Sequence, residues 1–454
     1  MLAYDLARWI KAVKYENIPA ETVEAAKKCI LDTLAVAVRG GAADSSLVLL
    51  ECLLPGGGGA DGSTAIGKGR KYPASEAALF NGAAAHSVEM DDFHREAAVH
   101  PGVVVVPAAL AVAEETKAGG RDLIRAVVLG YEAMVRVGRA CRGTPYDRGF
   151  HPTAICGGFG SAAAAGVLYG LGEDQLAHAL GIAGSYTGGL LEYKSNGAWT
   201  KRLSAGLAAR NGVFAARLAG RGFTGPDTIF EGRFGFLKAY TNSFDTALLE
   251  PGVRGRFAIE EVSFKPHSSC RFTHAPIDAL ILAVGKNAVA VDEIDEIRVE
   301  THDMAIRATM EPAERKYRPQ TPVDAQFSIP YCLALAALYG GVLPEYFSDH
   351  YLGHDKVLEM AARVSGRSAE RFSRLFPAKN GSRVTVLTGR GSFTEEVLDA
   401  RGDPENPLSL EDLKKKFQLL TLGVLPGDRA EALSDCVLRL EDLPQLAEIS
   451  QCLR

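Results

Sequence analysis

From Leu2 to Leu218 the apolar residues of this chain recur at helical spacing, which commits its first half to packed helices. Leu2, Leu6, Trp9, Ile10 and Val13 share one face of a first helix. Pro19 can open a second, whose Val23, Ile30 and Leu34 run to a stop at Gly40 and Gly41. Ser75 can cap a helix over residues 77–85. Further helices are expected over 107–116 and 121–140, punctuated by Gly119 and Gly120, and over 201–218. Residues 161–168 are almost all alanine, which suits close helix–helix approach. Residues 55–62 read as an exposed glycine-rich loop.

The texture changes near Phe264. Ile297, Val299 and Thr301 alternate with polar residues as a half-buried strand does, and so do Val384, Val386 and Thr388, then Phe393 and Val397. A helix over 326–339 sits among these strands, and helical spacing returns after Ser409 with Leu410, Leu413 and Phe417. The pattern predicts a mainly α protein. Both chain ends, 1–264 and 398–454, are expected to build a large all-helical domain, with an α+β domain, 265–397, inserted between them. A length of 454 residues agrees with more than one core.

A net charge of -5 gives no general attraction to nucleic acid or to an anionic membrane, so an acidic ligand needs a local cationic pocket. The eight cysteines include no Cys-x-x-Cys, and the first helix carries Asp5, Arg8 and Lys11 rather than an apolar leader; a cytoplasmic enzyme is expected. Two glycine motifs fail on context. Residues 62–69 approach a phosphate-binding loop but end on Gly69 instead of Ser or Thr, and residues 158–163 lack the preceding strand that a dinucleotide fingerprint needs.

Four segments carry reactive side chains. The first holds His86, Glu89, Asp91, Asp92, Phe93, His94 and His100 within fifteen residues. Imidazoles flanking carboxylates suit proton transfer near neutral pH. A divalent ion on His86, Asp91, His94 and His100 is the rival reading, though no compact motif such as H-E-x-x-H is present. The second segment is Gly149-Phe-His151-Pro152. The third places Lys201 and Arg202 at a helix start, against the helix dipole, which is easier to understand if an anion binds there. The fourth runs Lys265-Pro-His267-Ser-Ser-Cys270-Arg271-Phe-Thr-His274 at the domain junction.

Together these segments resemble the MmgE/PrpD family. The likeness is carried by Ile30-Leu-Asp-Thr-Leu34, N-G-x-x-x-H at 81–86, Asp91-Asp92, His100-Pro101, Gly149-Phe-His151, Lys201, K-P-x-x-S-C-R-x-T-H at 265–274 and Phe327-Ser-Ile-Pro-Tyr331. The resemblance implies a helical domain with an α+β lid, a site in the cleft between them, a homodimer, and no metal or organic cofactor. It implies chemistry on a small di- or tricarboxylate, with a proton removed from or returned to the carbon beside a carboxylate. His100, His151, Lys201 and Lys265 are the expected catalytic set. His86, Glu89, Asp91, Asp92, Phe93, Arg202, His267, Cys270 and Arg271 are expected around the substrate. The family often has Asp where Glu89 stands and Thr where Phe93 stands, and decarboxylases and some dehydratases place a histidine at Cys270. These departures make cis-aconitate decarboxylation a lesser expectation. Dehydration of a 2-methylcitrate-like hydroxy acid comes first, and epimerisation of a substituted succinate such as iminodisuccinate second. A silent carboxylate-binding protein on the same fold is the reading from another class.

Overall fold

The computed structural model describes residues 1–53, 62–250 and 255–454, and the expected loop at 55–62 lies almost entirely outside them. The protein is mainly α, as its periodicity demands. Helices Ala74–Ala85, Gly102–Thr116, Gly120–Ala140, Pro152–Leu168 and Thr200–Gly220 pack around one another, and Ala20–Gly41 closes the group. Small residues set their separation. A Cβ at Gly206 would lie 2.2 Å from the Leu79 carbonyl oxygen, and one at Gly82 would lie 2.9 Å from that of Val103. The alanine-rich run is the buried second half of Pro152–Leu168.

Two hydrophobic cores form. The larger gathers residues from Ala3 to Val262 and then Phe417 to Leu453, so the chain's last helices return to its first ones. Helix Leu410–Thr421, capped by Ser409, packs on Ala20–Gly41. The smaller core spans Ala275 to Ala400. Its four-stranded sheet has the order Val364–Ser368, Ile294–Thr301, Ser382–Thr388, Gly391–Val397; the first pair is parallel and the others antiparallel. Ile297, Val299 and Thr301 turn inward as the alternation requires. Helix His274–Lys286 packs on the sheet, with Ile329–Tyr339 against that helix.

Two local readings change, and one strand was not foreseen. The helix expected over 326–339 breaks in two, because the Ser328 hydroxyl caps a new start at Ile329 and Pro330 sits in its first turn. Ser75 lies inside helix Ala74–Ala85, whose N-cap is Pro73. The edge strand Val364–Ser368 has no alternating pattern, since four of its five residues are exposed. No single helix among the described residues is long and apolar enough to cross a membrane.

Candidate active site

The acidic stretch is a loop that leaves helix Ala74–Ala85 and enters Gly102–Thr116, and it is pinned from several sides. Phe93 and Ser263 exchange backbone hydrogen bonds of 2.9 and 2.8 Å. The Asp92 carboxylate accepts from the Gly102 N–H at 2.9 Å and from the Tyr131 hydroxyl at 2.7 Å, capping the new helix. Only glycine fits at 102, because a Cβ there would lie 2.7 Å from Asp92 Oδ1. Lys416, from the C-terminal helices, donates at 2.5 Å to both the Met90 carbonyl and Asp32. Glu89 sits in the left-handed region at φ 54°, a conformation costly for a residue with a side chain and typical of functional loops.

Three imidazoles are oriented by acceptors. Asp91 Oδ2 lies 2.9 Å from His86 Nδ1 and 2.7 Å from His100 Nδ1, and His100 Nδ1 also meets the Asp92 carbonyl at 2.8 Å. His151 Nδ1 lies 2.9 Å from Ser204 Oγ, whose own proton goes to the Lys201 carbonyl at 2.7 Å. Every neighbour of these Nδ1 atoms accepts, so each neutral ring carries its proton on Nδ1 and leaves Nε2 as a lone pair. The His86 ring lies 5.0 Å from that of His100 and 5.6 Å from that of His151. Burial pushes all three below the ordinary histidine range, His86 to about 4. Asp91 opposes this for His100, and among the described residues no carboxylate does so for His151. Burial alone would raise Asp91, but His86, His100 and Lys265 hold it well below the carboxylate range.

The cations converge from separate segments. Glu89 forms an ion pair with Lys201 and lies 3.5 Å from Lys265, whose ammonium also donates to the Glu89 carbonyl at 3.2 Å. Burial disfavours charge on Glu89, but Lys201, Lys265 and His86 outweigh it and bring it down to about 2. Burial lowers Lys201, making its ammonium a better acid than a free lysine. Lys201 Nζ stands 5.4 Å from the Phe327 ring centroid, a cation–π contact across the two cores.

A cavity of about 700 Å³ opens here. His100, His151, Lys201, Lys265, Glu89, Phe93, Cys270 and Arg271 line it. His86 and Asp91 stand behind that wall as buried supports. Asp92 faces the helix start instead. Arg202 bonds Ser45 Oγ at 2.9 Å, and His267 faces Asp278 at 3.4 Å; neither lines the cavity. Arg271 reaches the wall with its guanidinium committed to Asp403 at 2.5 Å. The divalent set of the rival reading is only partly assembled. His86, Asp91 and His100 bring ligand atoms within 4.8 Å of one another, while His94 turns to Glu261 at 3.4 Å. A cation there would have to displace the imidazole protons now shared with Asp91.

The sequence reading missed Tyr146, Tyr193, Lys194 and Met304, all of which line the cavity. The signal for two of them was present. Tyr193-Lys194 stands seven residues before Lys201, an aromatic–cation pair with no helical period to explain it.

Fold and site together define a class: a two-core helical enzyme holding neutral imidazoles above a floor of buried lysines. The chain belongs to the MmgE/PrpD family. Its residues 4–249 match the MmgE/PrpD N-terminal domain and residues 267–442 the C-terminal domain. It is 28% identical to the cis-aconitate decarboxylase-like protein oryM of Aspergillus oryzae, over 98% of this chain and 95% of that one. It is 27% identical to cis-aconitate decarboxylase of Aspergillus terreus over 99% and 95%, and 29% identical to that of Homo sapiens over 85% and 80%.

Proposed function

We propose that this protein is a lyase that dehydrates a small hydroxy di- or tricarboxylate, beginning with loss of a proton beside a carboxylate. The observation that carries the reading is the pair of Nε2 lone pairs, on His100 and His151, that share one cavity with the Lys201–Glu89–Lys265 array. A carbon acid beside a carboxylate is very weak, so its removal needs a placed base and cations that meet the growing charge. His100 is the base, because Asp91 stabilises the imidazolium it becomes. Lys265 and Lys201 face the carboxylate. As the carbon–carbon double bond forms, the bond to the hydroxyl on the next carbon breaks, and that oxygen leaves as water with a proton from Lys201. His151, with no carboxylate behind it, accepts a hydrogen bond from the substrate.

A second reading is decarboxylation, favoured by the relatives named cis-aconitate decarboxylase. Glu89, Phe93 and Cys270 line the cavity, and the family resemblance puts Asp, Thr and, in decarboxylases, His at these positions, which weighs against the same substrate. One experiment separates the readings. Hydroxy acids, cis-aconitate and substituted succinates are incubated with the enzyme in deuterium oxide and followed by proton NMR and by carbon dioxide release. Dehydration gives an alkene without carbon dioxide. Carbon dioxide release would replace the proposal with decarboxylation, and α-proton exchange without an alkene would replace it with epimerisation. Binding of acids with neither would leave only a binding protein.

A further inference from the structure

Lys194 is a partly buried cation that the proposed chemistry does not use. It lies in the short helix Leu191–Ser195 and lines the main cavity. Its ammonium donates to the Tyr146 hydroxyl and stands 4.4 Å from that ring's centroid and 5.8 Å from that of Phe327. Among the described residues no carboxylate forms an ion pair with it, and burial lowers its proton affinity. A half-buried ammonium whose polar partner is a neutral phenol gains from an anion that arrives beside it.

The charge balance of the cavity points the same way. Lys201 and Lys265 share one carboxylate, Glu89, and Arg271 is matched by Asp403. Lys201 and Lys265 thus have Glu89 beside them and the ionised Asp91 behind, whereas Lys194 has no such partner among the described residues. One carboxylate of an incoming acid would supply it. The two ends are also within reach of one small molecule. Lys194 and Lys201 stand 5.8 and 5.4 Å from the centroid of the same Phe327 ring, so their ammonium groups lie within about 11 Å of each other. Lys194 stands at a neck, not a dead end: it also lines a neighbouring hollow of about 620 Å³, together with Tyr146, Met304 and Phe327.

We infer that Lys194 is a second carboxylate anchor, which holds the end of the substrate remote from the carbon that loses its proton and so selects acids with two separated carboxylates. The inference rests on the reading of the cavity as a site for small di- or tricarboxylates. It makes Lys194 a determinant of specificity, with Lys201 and Lys265 left to the reacting end.

The test uses pairs of equal length: succinate against succinamate, and glutarate against glutaramate, each titrated calorimetrically into the full-length protein. Wild type should prefer the better-fitting diacid over its monoamide by about tenfold or more. Lys194→Met should erase that preference and leave monoamide binding unchanged. Lys194→Arg, which keeps the charge, and Tyr146→Phe, which removes the same hydrogen bond while keeping the lysine, should both retain it. The inference is overturned if Lys194→Met keeps the preference, or if it weakens diacid and monoamide alike. If wild type binds neither member of any pair, and no acid exchanges or reacts in the deuterium oxide screen, the carboxylate reading itself fails and takes the inference with it. Turnover of diacids by Lys194→Met with unchanged preference sinks the inference alone.

Discussion

His100 and His151 face one cavity with different support, and their variants should differ accordingly. Removing either imidazole as alanine should cut turnover by roughly 10²–10⁴-fold, with the larger loss at His100, measured on whichever acid reacts. Because burial holds His100 below the usual histidine range, kcat/KM should keep its plateau below pH ~6.5 and fall only at more acid pH. Asp91→Asn removes the charge that raises His100, so the acid limb should move lower still while the plateau drops. An acid limb that moved upward would contradict the arrangement. Asp92 offers a separate measurement. Burial raises it to about 7, against an ordinary value of 3.8. Between those values the folded protein keeps a proton that the unfolded chain has lost, so stability falls as pH rises, by about 4 kcal/mol for such a shift. Asp92→Asn can still cap Gly102 and escapes this titration. Its melting temperature relative to wild type should therefore improve from pH 5 to pH 8. A flat difference would place Asp92 as an ordinary ionised cap.

At the scale of elements, the loop that carries Glu89 and Asp91 is held by a residue more than three hundred positions away. Lys416 is buried with Asp32 beneath it and donates to the Met90 carbonyl. Lys416→Met would strand the Asp32 carboxylate without its cation, at a cost of about 3–5 kcal/mol. Chemical denaturation should report that loss, and adding Asp32→Asn should recover much of it. Full additivity of the two changes would mean that they do not interact. This coupling also shows where legibility in the sequence ends. The strands at 297–301 and 384–388 were readable because one face is wet and the other dry, and the helix at 200–220 because its period holds for five turns. Lys201 and Lys265 were readable as cations in odd places. That Glu89 pairs with both was not, because the contact joins three segments remote in sequence and depends on a left-handed backbone at φ 54°. Arg202 and His267 carried the same local signal as their neighbours yet turn to Ser45 and Asp278, since a helix start or a loop cannot say which of two adjacent side chains faces the cavity.

For the whole molecule, the expectation still to be met is a second copy. The back of the active-site helix is apolar where water should see it. On helix Thr200–Gly220, Leu207 and Phe214 lie two turns apart on one face, 36% and 54% exposed. Leu207 shares a surface hollow with Leu203, Tyr186 and Leu190, the last two 72% and 61% exposed. We propose that this apolar surface is an interaction face. A net charge of -5 gives no reason for a strongly charged partner, whereas an identical chain brings a matching apolar patch about a two-fold axis. The hollow also borders Ser204, the partner of His151, and Thr200, the residue before Lys201. Covering it would stiffen the helix end that holds Lys201 and, through Ser204, orients His151. Sedimentation velocity should show a dimer for wild type and a monomer for Leu207→Glu with Phe214→Glu. The monomeric variant should lose turnover while keeping its circular dichroism, because neither side chain lines the cavity. A wild type that sediments as a monomer at all concentrations would leave this face without the partner argued for it.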